Sequence, residues 1–293
     1  MAINSIQLHE VKHPDRDAQA RYDRLVGIDD QKTDLLEYLL RILDPTRFAK
    51  WLKTHHPKGL AIAAGVEGRT PLIILAGEVG CGKTALATSI GSPLGTRLDK
   101  RVTVLETPSD IRGGGLVGQL SERVTAAFQE ARVKVGTGQG ILIIDEGDDL
   151  GTSRAQMQAH HEDRAGLNVL IKEIDRLARE HVHIAVLLIT NRLQALDPAL
   201  IRRGHVIRFR RPDAEARRTL FRRLLEGVAF TEADIESLVA NSARKPLLSY
   251  SDIVERGAEI ALLQAHRDDK PFSVSYLQQA VETLQPSPLV EEE

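Results

Sequence analysis

Eight residues constrain this chain more than any others: Gly77-Glu78-Val79-Gly80-Cys81-Gly82-Lys83-Thr84, directly after the apolar run Leu72-Ile73-Ile74-Leu75. Three glycines, a lysine and a hydroxyl would pack poorly in a core, but they suit a phosphate cradle. Glycine lets successive backbone N–H groups turn toward one anion, and a helix beginning near Lys83 adds its positive end. In this GxxxxGKT pattern the lysine reaches the β- and γ-phosphates of a nucleotide, and the Thr84 hydroxyl binds Mg²⁺. The stretch therefore predicts a strand, loop and helix that bind ATP through Gly77, Val79, Gly80, Cys81, Gly82, Lys83, Thr84 and Ala85. Cys81 occupies a variable position of the pattern and needs no redox role.

Such a loop belongs in a parallel sheet. Runs of branched apolar residues at 72–75, 102–105, 141–144 and 184–189 are each followed by polar or glycine-rich residues and then by helical periodicity. Continuous apolar runs joined by helical crossovers indicate buried parallel strands. Val206-Ile207-Arg208-Phe209 makes a fifth. Leu167, Leu170, Ile171, Ile174 and Leu177 fall on one face of a crossover helix. The expected fold class is α/β, a five-stranded parallel sheet with flanking helices. After Arg211-Pro212 the strand signals stop and four helices follow. Asp213 caps the first, and Thr231 with Asp234 opens the second. The expected organisation is a short extension over 1–24, an ATPase domain over 25–211, a small helical domain over 212–285 and a flexible acidic tail over 286–293.

Composition narrows the surroundings. The 293 residues carry a net charge of -2, so no global basic bias draws the chain to nucleic acid or anionic membrane. One cysteine excludes an internal disulfide, and no apolar run approaches the ~20 residues of a spanning helix. Residues 1–24 are mixed and charged rather than a secretory core, which places the protein in the cytoplasm with no membrane attachment.

The run Ile141-Leu142-Ile143-Ile144 delivers Asp145 and Glu146 at its carboxyl end. Asp145 suits the Mg²⁺ shell, directly or through water, and Glu146 suits polarising the water that attacks the γ-phosphate. Two adjacent carboxylates repel, which makes the pair costly without a cation nearby. Thr190-Asn191 ends the next strand, where the Asn191 amide can hold that water or a γ-phosphate oxygen.

With Asp197-Pro198-Ala199-Leu200-Ile201-Arg202-Arg203-Gly204-His205 in place, the sequence resembles the AAA+ P-loop ATPases, from about residue 25 to 284. The resemblance implies a homo-hexameric ring in which an arginine of one subunit completes the neighbour's site. Arg202 matches the usual finger position, and Arg203 would serve in a register one residue later; the second family arginine falls on His205. The resemblance also places the adenine pocket at Gly27 and Ile28, makes the helical domain a lid, and puts a substrate-gripping pore loop at Leu116, Val117 and Gly118. No sensing arginine aligns at Leu248-Ser249-Tyr250-Ser251-Asp252, and Arg244 and Arg256 beside it are expected at the surface.

Leu-Gly-Thr-Arg-Leu-Asp-Lys-Arg at 94–101 and the stretch 165–175 are similar to the pachytene-checkpoint family of HORMA-domain remodelling ATPases. The compact chain resembles the bacterial version, found in nucleotide-signalling antiphage defence. That resemblance implies an ATP-driven motor that partly unfolds a HORMA-domain partner. Two alternatives remain: an enzyme-reactivating chaperone, and a DNA-engaging loader or transposition helper. The second draws on Arg208, Arg210, Arg211, Arg217, Arg218, Arg222 and Arg223. No winged-helix appendage or aromatic stacking pattern accompanies them, so nucleic acid is not the expected partner.

Overall fold

In the computed structural model the described residues are 6–64, 70–108, 119–147 and 161–289. The apolar runs form strands β2 (Leu72–Gly77), β3 (Val102–Glu106), β4 (Gln139–Ile144), β5 (Ile184–Thr190) and β6 (His205–Phe209). A further strand, β1 (His9–His13), was not expected. Among the described residues the sheet is therefore six-stranded, in the order β1-β3-β4-β5-β2-β6. β1 runs antiparallel to β3, with His9 opposite Glu106 and His13 opposite Val102, whereas β3–β4, β4–β5 and β5–β2 are parallel. The expectation of five parallel strands is corrected by this edge strand. Its sequence, His-Glu-Val-Lys-His, is largely polar because an edge strand need not be buried on both faces. Residues 1–24, expected as an extension, thus include a sheet strand and helix α1 (Arg16–Arg24).

Every residue of β4 and β5 is buried. Side chains from α7 (Gln119–Val135) and α8 (His161–Arg179) pack on them, including Leu120, Val124, Phe128, Leu167, Leu170, Ile174 and Leu177. The apolar face expected over residues 167–177 is the one that faces the sheet. Before β2 lie α2 (Asp29–Leu43), α3 (Pro45–His55) and α4 (Ala61–Ala64); α5 (Lys83–Ser89) and α6 (Gly91–Leu98) connect β2 to β3.

The chain divides into two compact units: Met1–Tyr22, Asp30–Ala76 and Thr84–Arg208 in the first, and Asp23–Asp29, Gly77–Lys83 and Phe209–Glu293 in the second. The glycine-rich loop Gly77–Lys83 is thus grouped with the helices rather than with the sheet. α9 (Pro198–Arg203) lies in the first unit. The second contains α10 (Ala214–Leu224), α11 (Glu232–Asn241), a π-helical turn (Asp252–Gly257), α12 (Ala258–Arg267) and α13 (Val274–Thr283). Asp213 caps α10 by accepting the Ala216 N–H at 2.8 Å, and Thr231 and Asp234 form a reciprocal capping box on α11, as their spacing requires. Phe221, Leu225, Ile235, Leu238, Ile253 and Val281 form this unit's own core. No helix among the described residues is long and apolar enough to cross a membrane.

Candidate functional site

In the sheet unit the chemistry gathers at one edge. β4 and β5 are parallel neighbours with Ile144 level with Leu188, so Asp145–Glu146 and Asn191 leave the sheet at the same end. Asp145 accepts the Thr84 hydroxyl on Oδ2 at 2.9 Å and the Glu146 N–H on Oδ1 at 2.8 Å. Thr84 and Glu146 are exposed, while Asp145 and Asn191 are half-buried. Glu146 adopts a φ of 54°, in the left-handed region that costs a non-glycine residue about 1 kcal/mol or more. That turn separates it from its neighbouring carboxylate's role: Asp145 is fixed on Thr84, and Glu146 stands at the surface. Past β5, the Thr190 hydroxyl accepts the Arg192 N–H at 3.0 Å and turns the chain out of the sheet at Asn191.

α9 starts at Pro198 because Asp197 accepts the Ala199 N–H at 2.8 Å and proline suits the first turn. Its two arginines differ. Arg203 meets Asp175 of α8 with Nε at 3.2 Å from Oδ1 and Nη2 at 3.4 Å from Oδ2, and its Nη1 donates to the Ala199 carbonyl at 3.1 Å. Arg202 is exposed, with Nε donating to the Pro198 carbonyl at 3.3 Å. Both line a hollow of about 420 Å³ beside His205, whose ring stacks on Tyr38 with centroids 3.4 Å apart.

In the helical unit the loop Gly77–Lys83 has the tight backbone its glycines permit. Gly77 has a φ of 144°, and a Cβ there would lie 1.9 Å from the Phe209 carbonyl oxygen. Gly80 has a φ of 72°, and a Cβ there would lie 2.8 Å from the Ser249 Oγ. The Lys83 ammonium donates to the Gly77 and Glu78 carbonyls, each at 2.7 Å, and so lies within its own loop. Val79 is exposed, and Cys81 is buried, with burial raising its thiol pKa to about 11. Ala85 is exposed in α5. Gly27 lies under Tyr250, whose hydroxyl donates to the Gly27 carbonyl at 2.6 Å, and Ile28 packs beside Gly82.

Sequence reasoning missed several contacts of this loop. The segment noted for lacking a sensing arginine touches it directly: Ser251 N–H donates to the Gly80 carbonyl at 3.0 Å. Arg244 is not the surface residue expected; it is half-buried and donates to the carbonyls of Asn241 at 2.9 Å and Leu284 at 2.6 Å, tying down the end of α13. Arg256 is exposed as expected but pairs with the buried Asp252 at 2.6 Å. Spacing alone could have flagged only Asp252 and Arg256, four residues apart; the Ser251–Gly80 and Arg244–Leu284 contacts join residues far apart in sequence, and the burial of Asp252 puts a polar group where an apolar one is expected. Leu116, Val117 and Gly118 lie outside the described residues.

Residues 73–211 match the model of the ATPase family associated with various cellular activities (AAA). CD-NTase-associated protein 6 of Escherichia coli strain MS 115-1 is 37% identical, across 98% of this chain and 96% of that protein. The chain belongs to the AAA family, among the relatives of CD-NTase-associated protein 6. Solved structures of AAA relatives agree. A chain of the E. coli MS115-1 HORMA:CdnC:Trip13 complex superposes with a TM-score of 0.91 at 36% identity, over 98% of both chains. Rhizobiales Trip13 superposes with a TM-score of 0.75 at 32% identity, over 96% of this chain and 98% of that one. This AAA protein is an ATPase, a bacterial Trip13-like member of the family.

Proposed function

We propose that this ATPase is a cytoplasmic homo-hexameric motor that partly unfolds a HORMA-domain signalling protein in an antiphage defence system. The observation that carries the partner is the match, over nearly the whole of both chains, to a Trip13 solved together with a HORMA protein.

The residues divide the work as follows. The loop N–H groups and Lys83 hold the nucleotide's phosphates, which takes the lysine from the Gly77 and Glu78 carbonyls to anionic acceptors. Gly27 and Ile28 line the adenine pocket. Thr84 and Asp145 present two hard oxygen donors 2.9 Å apart, a fit for Mg²⁺, which neutralises phosphate charge when bound. Glu146 accepts a proton from the attacking water, and Asn191 orients that water. Arg202, exposed, or Arg203, pre-oriented by Asp175, completes the site of the adjacent subunit as its finger. Leu116, Val117 and Gly118 grip the partner in the pore.

The DNA reading needs a basic helix face, and the arginines of α10 are already engaged. Arg218 pairs with Glu215 and Glu236, Arg222 with Glu232, and Arg223 with Glu226, while Arg217 is buried against the Pro212 carbonyl. Such paired guanidiniums attract phosphate weakly, which favours a protein partner. Glu146→Gln tests the proposal: it should bind ATP, hydrolyse it at least 100-fold more slowly, and retain a HORMA-domain protein from the native cell with ATP but not with ADP. Recovery of nucleic acid in its place would overturn the HORMA reading.

A further inference from the structure

Residues 285–289 follow α13 without regular secondary structure, and from residue 286 on the sequence reads as a flexible acidic tail. The structure corrects that expectation for this segment, because two side chains hold it. Asp252 has no solvent exposure. Its carboxylate accepts the Ser287 hydroxyl at 2.5 Å, the Ser287 N–H at 3.1 Å, the Ser249 N–H at 2.9 Å and an Arg256 N–H at 2.6 Å. Burial alone would raise its pKa. The Ser287 hydroxyl, the backbone N–H groups of Ser249 and Ser287 and the Ser249 hydroxyl outweigh burial and hold it at about 2, so the group is ionised at neutral pH.

Arg211 is the second anchor, with its side chain 5% exposed. Nη1 donates to the Leu247 carbonyl at 2.5 Å, and Nη2 donates to the carbonyls of Ser287 at 2.8 Å and Pro288 at 3.0 Å. The same Nη2 lies 3.4 Å from the carboxylate of Glu78, the second residue of the phosphate loop. One guanidinium therefore spans the loop, the segment before Asp252 and residues 287–288. Asp252 works in parallel: it fixes Ser249, which packs on Gly80, next to the Ser251–Gly80 hydrogen bond. The terminal segment is thus tied by two routes to the backbone that must present N–H groups to phosphate.

We propose that residues 285–289 form a strap that sets nucleotide affinity by holding the phosphate loop in its binding conformation, with Ser287 and Arg211 as positioning residues. The inference rests on the nucleotide reading of that loop. A loop that holds its competent conformation for only a tenth of the time binds about tenfold more weakly, without any change in the chemical step. Ser287→Asp sets a second carboxylate against ionised Asp252 and expels the strap. A chain ending at Leu284 removes it without adding a buried charge.

The test measures mant-ATP affinity, steady-state ATP hydrolysis and amide hydrogen exchange on both variants in the full-length background or its truncation. Strap release should weaken mant-ATP binding and raise KM about tenfold, leave kcat within about twofold, and speed exchange at residues 77–82. Variants in which residues 77–82 exchange as in the wild type, with unchanged mant-ATP affinity, would overturn the strap. Failure of the underlying reading looks different: Lys83→Ala would then bind mant-ATP as tightly as the wild type.

Discussion

Asparagine at position 252 would keep the side chain's size and remove its charge, at a site with no exposure and with Ser249, Arg256 and Ser287 all donating to it. Those donors favour the ionised form, and the carboxyl pKa falls from 3.8 to about 2. At 1.36 kcal/mol per pH unit, the fall is worth about 2 kcal/mol to the folded state. Because the folded pKa is the lower one, this stability is fully present above about pH 4 and is lost as pH falls toward 2. Asp252→Asn should therefore weaken the helical unit by about 2–4 kcal/mol at pH 7, since hydrogen bonds to a charged group are lost as well. The gap between wild type and variant should narrow as pH drops from 5 to 3. Native-state hydrogen exchange of the α12 amides at several pH values reads the local stability directly. A gap that stays constant across that range would mean that Asp252 acts through shape rather than charge. Absence of a gap at pH 7 would remove its anchoring role altogether.

Three further outcomes follow from the geometry. Gly77→Ala sets a Cβ 1.9 Å from the Phe209 carbonyl oxygen at a φ of 144°, so it should cost about 2 kcal/mol or more and weaken ATP binding at least tenfold; wild-type affinity by calorimetry would refute the tight approach. Cys81 should resist iodoacetamide at pH 8 and label only after unfolding in urea, because it is buried with a pKa near 11; rapid labelling of the folded chain, read by mass spectrometry, would contradict this. Of Arg202→Ala and Arg203→Ala, the one that removes the finger should lower kcat by about 10³-fold or more while the other acts mainly on stability; near-normal turnover in both would exclude completion in trans.

Where residue type and spacing share one physical cause, the sequence was legible. Gly77 and Gly80 stand where a side chain would strike backbone or a neighbouring serine, and Lys83 and Thr84 follow at the sequence spacing of the GxxxxGKT pattern. The Thr231–Asp234 capping box and the Asp213 cap were equally readable, because both partners lie within one turn. β1 escaped notice since a polar edge strand carries little apolar periodicity. The strap escaped for a different reason: its anchors, Arg211 and Asp252, lie 76 and 35 residues from Ser287. Nothing in the sequence around Asp252 marks it as buried, and only burial reveals how many donors converge on it. Glu146 was legible as a residue but not as a conformation, because nothing in Ile-Asp-Glu-Gly announces a positive φ.

The pairing of β1 with β3 also bears on how the sheet is assembled during synthesis. His13 leaves the ribosome about ninety residues before Val102, its partner across the ladder. At ordinary rates of translation, that leaves β1 without its neighbour for roughly 5–20 s. An apolar strand would spend that interval seeking other edges. His-Glu-Val-Lys-His, with charge on either side of a single valine, can wait in water until β3 arrives.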